Sequence, residues 1–483
     1  VQLHLVDNFE KAQELMSWLG SRDAAGMLAV DLETTGFVRR KDTIKLAQLG
    51  GFEHGWSVPW HLWPGLVQDA LNRYCTDPSN RILMHNKKFD YGHLAVDARV
   101  PIILPRGSVY DTMIMSHIRE PHMSKALKSQ AARHIDAAAA GLQVSFAKTD
   151  WTWETVPWDY GPYWQYGALD TVLTRHLGEF HYGDVMSDSP AAFDLEDTYV
   201  WTAFDMEEYG AHIDVAYARE KFDSFMRYVD EAEKWIWETY HVKAGSNAAI
   251  IRVLQDEGHE FTATTASGAL QLDKEVLGSI DHPLAQTVLR RRQLQKLATT
   301  YLSHFIHEVD ANDCIHPSLN TLGARTSRMS MSDPNLQNLP RKSERNPAAT
   351  TIRNSVTTRY GDRGWLLMCD FDQIEMRLMA HMSRDEGLRA AFMSGDDFFV
   401  ALAREIFQDP TLEKKDPRRQ ITKNAGYSEI YGAGVAKFAK TAGITFEQAD
   451  AVKRRWNQLY PGTKGYAKQV EQEAWRTQRE EGM

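Results

Sequence analysis

The chain holds only three cysteines in 483 residues, Cys75, Cys314 and Cys369, each isolated from the others. With no CxxC pair and no ladder of even spacings, neither a zinc ribbon nor a disulfide framework is available, and a reducing compartment fits. Long apolar runs are missing as well. No stretch reaches the roughly eighteen uncharged residues of a membrane span, and the first residues (VQLHLVDNFEKAQELMSWLG) alternate charge with apolar character rather than forming a signal-peptide core. No G-x-x-x-x-G-K-[ST] loop occurs, so a P-loop nucleotidase has no support. Excess positive charge is absent too: the formal net charge is -10, unlike that of a protein coating nucleic acid through an overall basic surface.

What is present is globular. Hydrophobic residues make up 43% and charged residues 25%, which disfavours disorder, collagen and coiled coil. The length suggests about three domains at roughly 150 residues each. A soluble, cytoplasmic protein is expected. Against the acidic balance, basic clusters recur in the second half: Arg290 to Arg292; Arg341, Lys342 and Arg345; Lys414, Lys415, Arg418, Arg419 and Lys423; and Lys453 to Arg455. Any one of them is equally served by a solvated helix face, but together they suggest a localised groove for an anionic partner.

Residues 1 to about 185 read as α/β, with short strand candidates at Met27–Val30, Ile44–Leu49 and Ile82–Met84. From about 190 to 310 the pattern is helical. Phe222, Phe225, Val229, Ala232 and Ile236 recur at three- and four-residue steps, as do Val288, Arg291, Leu294, Leu297, Tyr301, Phe305 and Val309, with Arg291 the one polar member. A Pro-, Ser- and Asn-rich stretch from Ile315 to Arg363 precedes an apolar strand expected over Trp365–Asp370, and helices are expected from there to the end.

Asp31 and Glu33 stand at i and i+2 at the end of a strand candidate, so both carboxylates leave one face. Alone, such a triplet is equally a turn or a cap. Asp90, in HNKKFD, follows the next strand, and Tyr166 and Asp170, in YGALD, are four apart and share a helix face. Four carboxylates and a phenol from three segments suit a site where hard oxygen ligands hold two Mg²⁺ ions and a phenol orients an attacking water.

DLETTG, HNKKFD and YGALD, in this order, resemble the three motifs of the DEDD 3′-5′ exonucleases, in the subtype with tyrosine in the third motif; Gln165 stands where the other subtype has histidine. The resemblance implies that Asp31, Glu33, Asp90 and Asp170 are metal ligands and that Tyr166 with Glu33 positions the water. His85 and Asn86 either contact the 3′-terminal nucleotide or close their loop, and Asp111 in YDTMIMSHI is expected to be structural.

Further along, RTSRMSMSDPNLQNLP from Arg325, then WLLMCDFDQIEMRLMAH, then RRQITKNAGYSEIYG resemble, in order, the motif stretches of family A DNA polymerases. The residues also make sense chemically. The apolar run would deliver Asp370 to a strand end, where a carboxylate can bind metals bridging a primer hydroxyl and a triphosphate. Asp416-Pro417 is a strong helix start, after which Arg419, Lys423, Tyr427 and Tyr431 recur every four residues. Two cations suit a triphosphate and two rings suit a base.

The family resemblance implies an α/β exonuclease domain, an RNase H-like mixed sheet with helices, over 1–186. An α+β polymerase right hand would follow: thumb and N-terminal palm over 187–364, palm with the first catalytic Asp over 365–400 and fingers over 401–483. It implies that Asp370 is a catalytic metal ligand, that Arg419 and Lys423 touch phosphate, with Lys423 the proton donor to pyrophosphate, and that Tyr427 lies against the incoming nucleotide. Glu375 would exclude ribonucleotides, and Arg328, Asn335, Gln337 and Tyr431 would touch DNA. Two Mg²⁺ ions per active site, with Mn²⁺ as the alternative, are the expected cofactors. Primer-template DNA and deoxynucleoside triphosphates are the expected partners, with a processivity factor or second polymerase fragment as a protein partner and no membrane.

Departures from the family pattern are Phe371 and Asp372, in place of Tyr and Ser after Asp370, and Tyr427, where many members have Phe. The downstream His-Asp-Glu motif is not found before Met483, so a chain ending there is expected to degrade DNA 3′ ends without extending a primer. No 5′-nuclease domain is expected, and compact phage-type members offer the nearest likeness, which would place the protein in a host cytoplasm. A stand-alone nuclease of the RNase D kind would show a ribose-dependent preference, and a noncatalytic replication scaffold would have no need for intact exonuclease acids.

Overall fold

The computed structural model describes the chain except for residues 142–143, 145–149, 265–267, 325, 327, 341–345, 396 and 482–483. Arg325 of the first polymerase-like stretch and the cluster of Arg341, Lys342 and Arg345 therefore lie outside the described residues. Two compact units are formed, Val1–Leu366 and Leu367–Met483.

The first unit is organised by a six-stranded mixed sheet of β1 (Gln2–Leu5), β2 (Met27–Thr34), β3 (Ile44–Gly50), β4 (His54–Pro59), β5 (Arg81–Met84) and β6 (Val109–Asp111), in the order β1-β4-β3-β2-β5-β6. The three strand candidates of the sequence form adjacent central strands: β3 pairs antiparallel with β2, and β5 parallel with it. These strands read as near-continuous apolar runs because both faces are covered. The helices of this region are α1 (Phe9–Trp18), α2 (Pro64–Tyr74), α3 (Lys87–Val96), α4 (Thr112–Arg119), α5 (Leu127–His134) and α6 (Gly161–Asp188). Leu15, Trp18, Val67, Leu71, Tyr91 and Leu94 from the first three join Leu28, Val30, Leu49, Val58 and Ile82 of the strands in one core.

Helix α6 lies against β2, β3 and β4. Its backbone approaches the sheet so closely that a Cβ at Gly55 would collide with the Ala168 carbonyl, and one at Gly50 with Thr171. The junction expected at residues 186/187 falls inside this helix. Two further helices, α7 (Pro190–Tyr209) and α8 (Val215–Tyr240), follow.

Helix α7 grips the exonuclease-like region through charge. Its Asp197 pairs with Lys87, Asp205 with Arg106, Glu207 with Lys88 and Arg39, and Glu208 with Arg39 and Arg40. The Lys87 side chain is fully buried, with its ammonium 4.2 Å from the Trp201 ring centroid. Helix α8 and the helix Pro283–Leu297 form the expected amphipathic pair: Phe225 and Val229 share one core with Leu294, Leu297 and Phe305, and Ile236 shares another with Leu284 and Val288. Arg291, the polar member of the stripe, is buried and donates to Glu233 from Nε at 2.8 Å.

The described residues of the second unit are helical, with helices at Ile374–Ser383, Glu386–Met393, Phe398–Phe407, Pro417–Ile430, Val435–Ala442, Phe446–Leu459 and Pro461–Glu481. They close on Met376, Leu388, Phe398, Phe399, Leu402 and Trp456. The strand expected over Trp365–Asp370 is not formed. That segment is irregular, with Trp365 92% and Met368 91% exposed. An apolar run becomes a strand only when a neighbour completes its ladder, and no described strand pairs with this one. Asp370 is therefore in an exposed, irregular segment rather than at a strand end.

The expected basic groove is corrected in part. Arg291 pairs with Glu233, Arg418 with Asp409 and Asp416, Lys453 with Glu429, Arg454 with Asp450 and Arg455 with Glu405. Arg291, Lys453 and Arg455 are matched by carboxylates distant in sequence, which a local count does not see, whereas Arg418 and Arg454 pair locally. No helix among the described residues is long and apolar enough to cross a membrane.

Because α6 sits on the sheet through a glycine contact, Gly55→Ala should destabilise the first unit by about 2 kcal/mol through overpacking. Urea denaturation checks this, and a change near zero would mean that the helix shifts without cost.

Candidate active site and nucleotide-binding helix

Four carboxylates reach one buried region of the first unit from three elements. Asp31 and Glu33 stand on β2 opposite Gln48 and Leu46, with an irregularity immediately after Glu33. Asp90 is in the first turn of α3, and Tyr166 and Asp170 are a turn apart on α6. Glu33, Asp90 and Asp170 are buried, and Tyr166 is half-buried.

The electrostatics show these groups acting on one another. Burial pushes Asp31 up to about 6, opposed by the charge of Lys128. Burial, then the charge of Asp31, hold Glu33 well above the carboxylate range; burial, then Asp31 and Asp111, do the same for Asp90. Tyr166 is pushed up to about 12 by burial and the charges of Glu33 and Asp31. A cluster of acids gathered in this way suits a cation.

The donor set is also chemically right for Mg²⁺: hard carboxylate oxygens, with Asp90 Oδ1 buried and without a hydrogen-bond partner. Among the described residues, no three carboxylate, imidazole or thiol groups stand in ready-made ligating geometry. Lys128, on α5, pairs with Asp170, and its Nζ lies 4.2 Å from the Tyr166 ring centroid.

The supporting residues are built for placement. Asn86 takes a left-handed φ of 76° as the chain enters α3, a conformation that asparagine tolerates better than most. The Asp111 carboxylate accepts from the backbone N–H of Asn86 at 3.0 Å, Lys87 at 2.9 Å and Met113 at 2.8 Å, pinning that turn to the start of α4. Asp111 is thus structural, as expected. His85 uses both ring nitrogens internally, on Thr112 Oγ1 at 2.9 Å and the Lys125 carbonyl at 2.7 Å, which favours loop closure over a nucleotide contact. Lys45 Nζ donates to the carbonyls of Trp153, Glu154 and Val156, at 3.1, 2.9 and 2.7 Å, fixing the approach to α6. Sequence reasoning missed Lys45 on β3, Lys87 and Lys88 at the start of α3 and Lys128 at the start of α5; lysines that repeat at no helical or strand spacing carry no pattern.

The polymerase-like residues divide between the units. Arg328, Asn335 and Gln337 belong to the first unit; Asn335 caps a short turn by accepting from the Asn338 N–H at 3.1 Å, and Arg328 and Gln337 are exposed. In the second unit, Asp416 caps the helix Pro417–Ile430 as expected, accepting from the Arg418 N–H at 2.8 Å. Arg419, Lys423 and Tyr427 follow on that helix, and Tyr431 is its C-cap rather than a full helical residue.

Arg419 is held by a two-point ion pair with Asp397, at 3.1 and 2.8 Å. Tyr431 Oη donates to Glu375 Oε1 at 2.5 Å. Burial raises Tyr427, with the charges of Glu375, Tyr431, Asp370 and Asp372 adding in that order, so these groups face one region of the unit. A cavity of about 300 Å³ lined by Asn424, Tyr427, Tyr431 and Lys437 adjoins them. Arg377 donates from Nε to the Asp372 carbonyl at 2.8 Å and lies 3.6 Å from its carboxylate.

A sheet bearing buried acids, joined to a region with a capped cationic and aromatic helix, defines a class: an exonuclease domain attached to a nucleotidyl-transferring one. The model of DNA polymerase family A matches residues 215–483, and that of the 3'-5' exonuclease matches residues 6–180. The chain belongs to DNA polymerase family A and carries a 3′-5′ exonuclease domain.

Among its relatives, the DNA polymerase of Mycobacterium phage D29 is 27% identical over 93% of this chain and 76% of its own length. DNA polymerase I of Pseudomonas aeruginosa is 28% identical over 95% of this chain and 52% of its own length, so the chain spans about half of that relative. The fold is similar to that of the POL domain of Pol1 from M. smegmatis, solved in complex with DNA primer-template and dNTP, at a TM-score of 0.75 and 22% identity, over 98% of this chain and 79% of that one.

Since Asp111 satisfies three backbone donors at the turn that presents Asp90, Asp111→Ala should cost about 3 kcal/mol. Chemical denaturation measures the loss, and a cost below about 1 kcal/mol would be that of a single ordinary hydrogen bond.

Proposed function

We propose that the first domain removes nucleotides from DNA 3′ ends, as a proofreader, and that the chain takes part in template-directed DNA synthesis through the residues of its second half. The observation that carries the first reading is the convergence of Asp31, Glu33, Asp90 and Asp170 in one region, where burial raises Asp31, and burial with the charge of Asp31 raises Glu33 and Asp90.

Asp31, Glu33, Asp90 and Asp170 would hold two Mg²⁺ ions, or Mn²⁺, which supply charge neutralisation at the phosphoryl group when bound. Tyr166 and Glu33 orient the attacking water. Tyr166 stays protonated throughout the neutral range, since burial and its acidic neighbours push it to about 12, so its hydroxyl is available as a donor.

For synthesis, Asp370 is the metal-binding carboxylate, and Arg419 and Lys423 grip the triphosphate. Lys423 gives its proton to the leaving pyrophosphate, and Tyr427 stacks on the incoming nucleotide. Arg328, Asn335, Gln337 and Tyr431 contact primer and template. Glu375, whose carboxylate is already held by Tyr431, fills the space that a ribose 2′ hydroxyl needs. The primer-template and dNTP named for the mycobacterial structure are the partners proposed here, with a processivity factor or second polymerase fragment as the protein partner and the cytoplasm as the location. In the domain assignment we propose, 1–186 is the exonuclease, 187–364 thumb and N-terminal palm, 365–400 palm and 401–483 fingers.

Replacing Asp31 and Glu33 together by Ala should lower Mg²⁺-dependent removal of 3′ nucleotides from single-stranded DNA by about a thousandfold or more, a barrier increase of some 4 kcal/mol. Undiminished digestion by the double variant would refute the assignment. In a chain competent for extension, Glu375→Ala should raise ribonucleotide incorporation relative to deoxynucleotide by about tenfold, because the exclusion is steric. An unchanged ratio of kcat/KM values would place the selection elsewhere.

A further inference from the structure

Lys128 has no part in the chemistry just described, yet it sits at the centre of the acids that perform it. Its ammonium pairs with Asp170 and lies on the Tyr166 ring, its side chain is 17% exposed, and its charge acts on both Asp31 and Glu33. Helix energetics do not explain the placement. Lys128 is the second residue of α5, whose N-cap, Ala126, offers no side-chain hydrogen bond. A cation there opposes the helix dipole. Lys45, the other cation whose charge reaches Glu33, is committed to three backbone carbonyls.

We propose that the Lys128 ammonium is a built-in counter-ion that occupies the carboxylate cluster in the metal-free protein and must leave when a divalent cation enters. Lys128 thereby sets the metal concentration at which the exonuclease becomes competent. The inference rests on the two-metal reading above and concerns its regulation.

The physical reasoning is competitive. Asp170 cannot give the same oxygen lone pairs to an ammonium and to a metal, and the site accepts metal only in the fraction of molecules whose lysine has swung out. Apparent affinity is reduced by that fraction. Without any cation the carboxylates would face one another in a low-dielectric setting, so the lysine also holds the metal-free fold together. Lys128 is a positioning residue for the ligands and touches no reacting atom in this scheme.

The test measures cation binding directly. Mn²⁺ binding, followed by calorimetry or electron paramagnetic resonance, should be about tenfold tighter in Lys128→Met than in the unaltered chain if the open fraction is near one tenth. The Mg²⁺ concentration for half-maximal digestion should fall in parallel, and melting in EDTA should occur at lower temperature. A merely structural lysine would give the opposite sign, weaker binding. Independently of any variant, acylation of Lys128 by an N-hydroxysuccinimide ester, read by mass spectrometry, should be slow in EDTA and faster with Ca²⁺.

Equal or weaker Mn²⁺ binding by a folded Lys128→Met variant, or labelling that is unchanged or slower with Ca²⁺, overturns the inference. Failure of the unaltered chain to bind Mn²⁺ at all would instead overturn the two-metal reading, and the inference with it.

Discussion

The loss of water around four gathered carboxylates is the constraint around which the first unit is arranged. Bringing Asp31, Glu33, Asp90 and Asp170 together removes water from groups whose charged forms depend on it, and raises Asp31, Glu33 and Asp90. No single helix or strand could hold them at separations useful for a cation. Strand β2 supplies one pair, α3 a third acid and α6 the fourth, each fixed by something other than the site itself. The β2 pair is fixed by its ladder with β3, α3 by the Asp111 carboxylate, and α6 by glycine contacts with the sheet. The rigidity of these supports keeps the acids from relaxing apart.

In the second unit it is a cation and an acid of separate helices that are held by partners. Arg419 is not left exposed to solvent but is clasped by Asp397, and Glu375 is clasped by the Tyr431 hydroxyl. Both contacts hold their side chains in defined orientations. An arginine held by a planar carboxylate is already disposed in the fork geometry that a phosphate oxygen pair would use.

Much of this was legible in the sequence, for identifiable reasons. β2, β3 and β5 are short apolar runs bounded by polar turns, and the spacing of Tyr166 and Asp170 is a helical turn whatever surrounds it. The start of the helix Pro417–Ile430 was written locally, as an acid followed by proline. What escaped depends on distant partners. Trp365–Asp370 has the composition of a strand, but strand formation needs a neighbour that composition does not specify. The arginine and lysine clusters looked like a binding surface in part because carboxylates that match them, Glu233, Glu429 and Glu405, lie far along the chain. Lys128 belongs to no motif of charge or period; only the folded arrangement shows that it faces three acids.

The grip of α7 on α3 bears on how such a domain can be inherited. Lys87 and Lys88 precede Asp90 by less than one helical turn, and both reach across to α7, the first with its side chain wholly buried. A gene segment ending at residue 186 would encode every motif acid yet strip Lys87 of both Asp197 and the Trp201 ring, and would uncover the core that Trp201 and Phe204 help to close. The exonuclease is therefore not an interchangeable cassette bounded by its motifs. Its smallest transferable form includes the acidic helix that follows, and recombination between relatives should conserve that join even where the surrounding sequences have drifted.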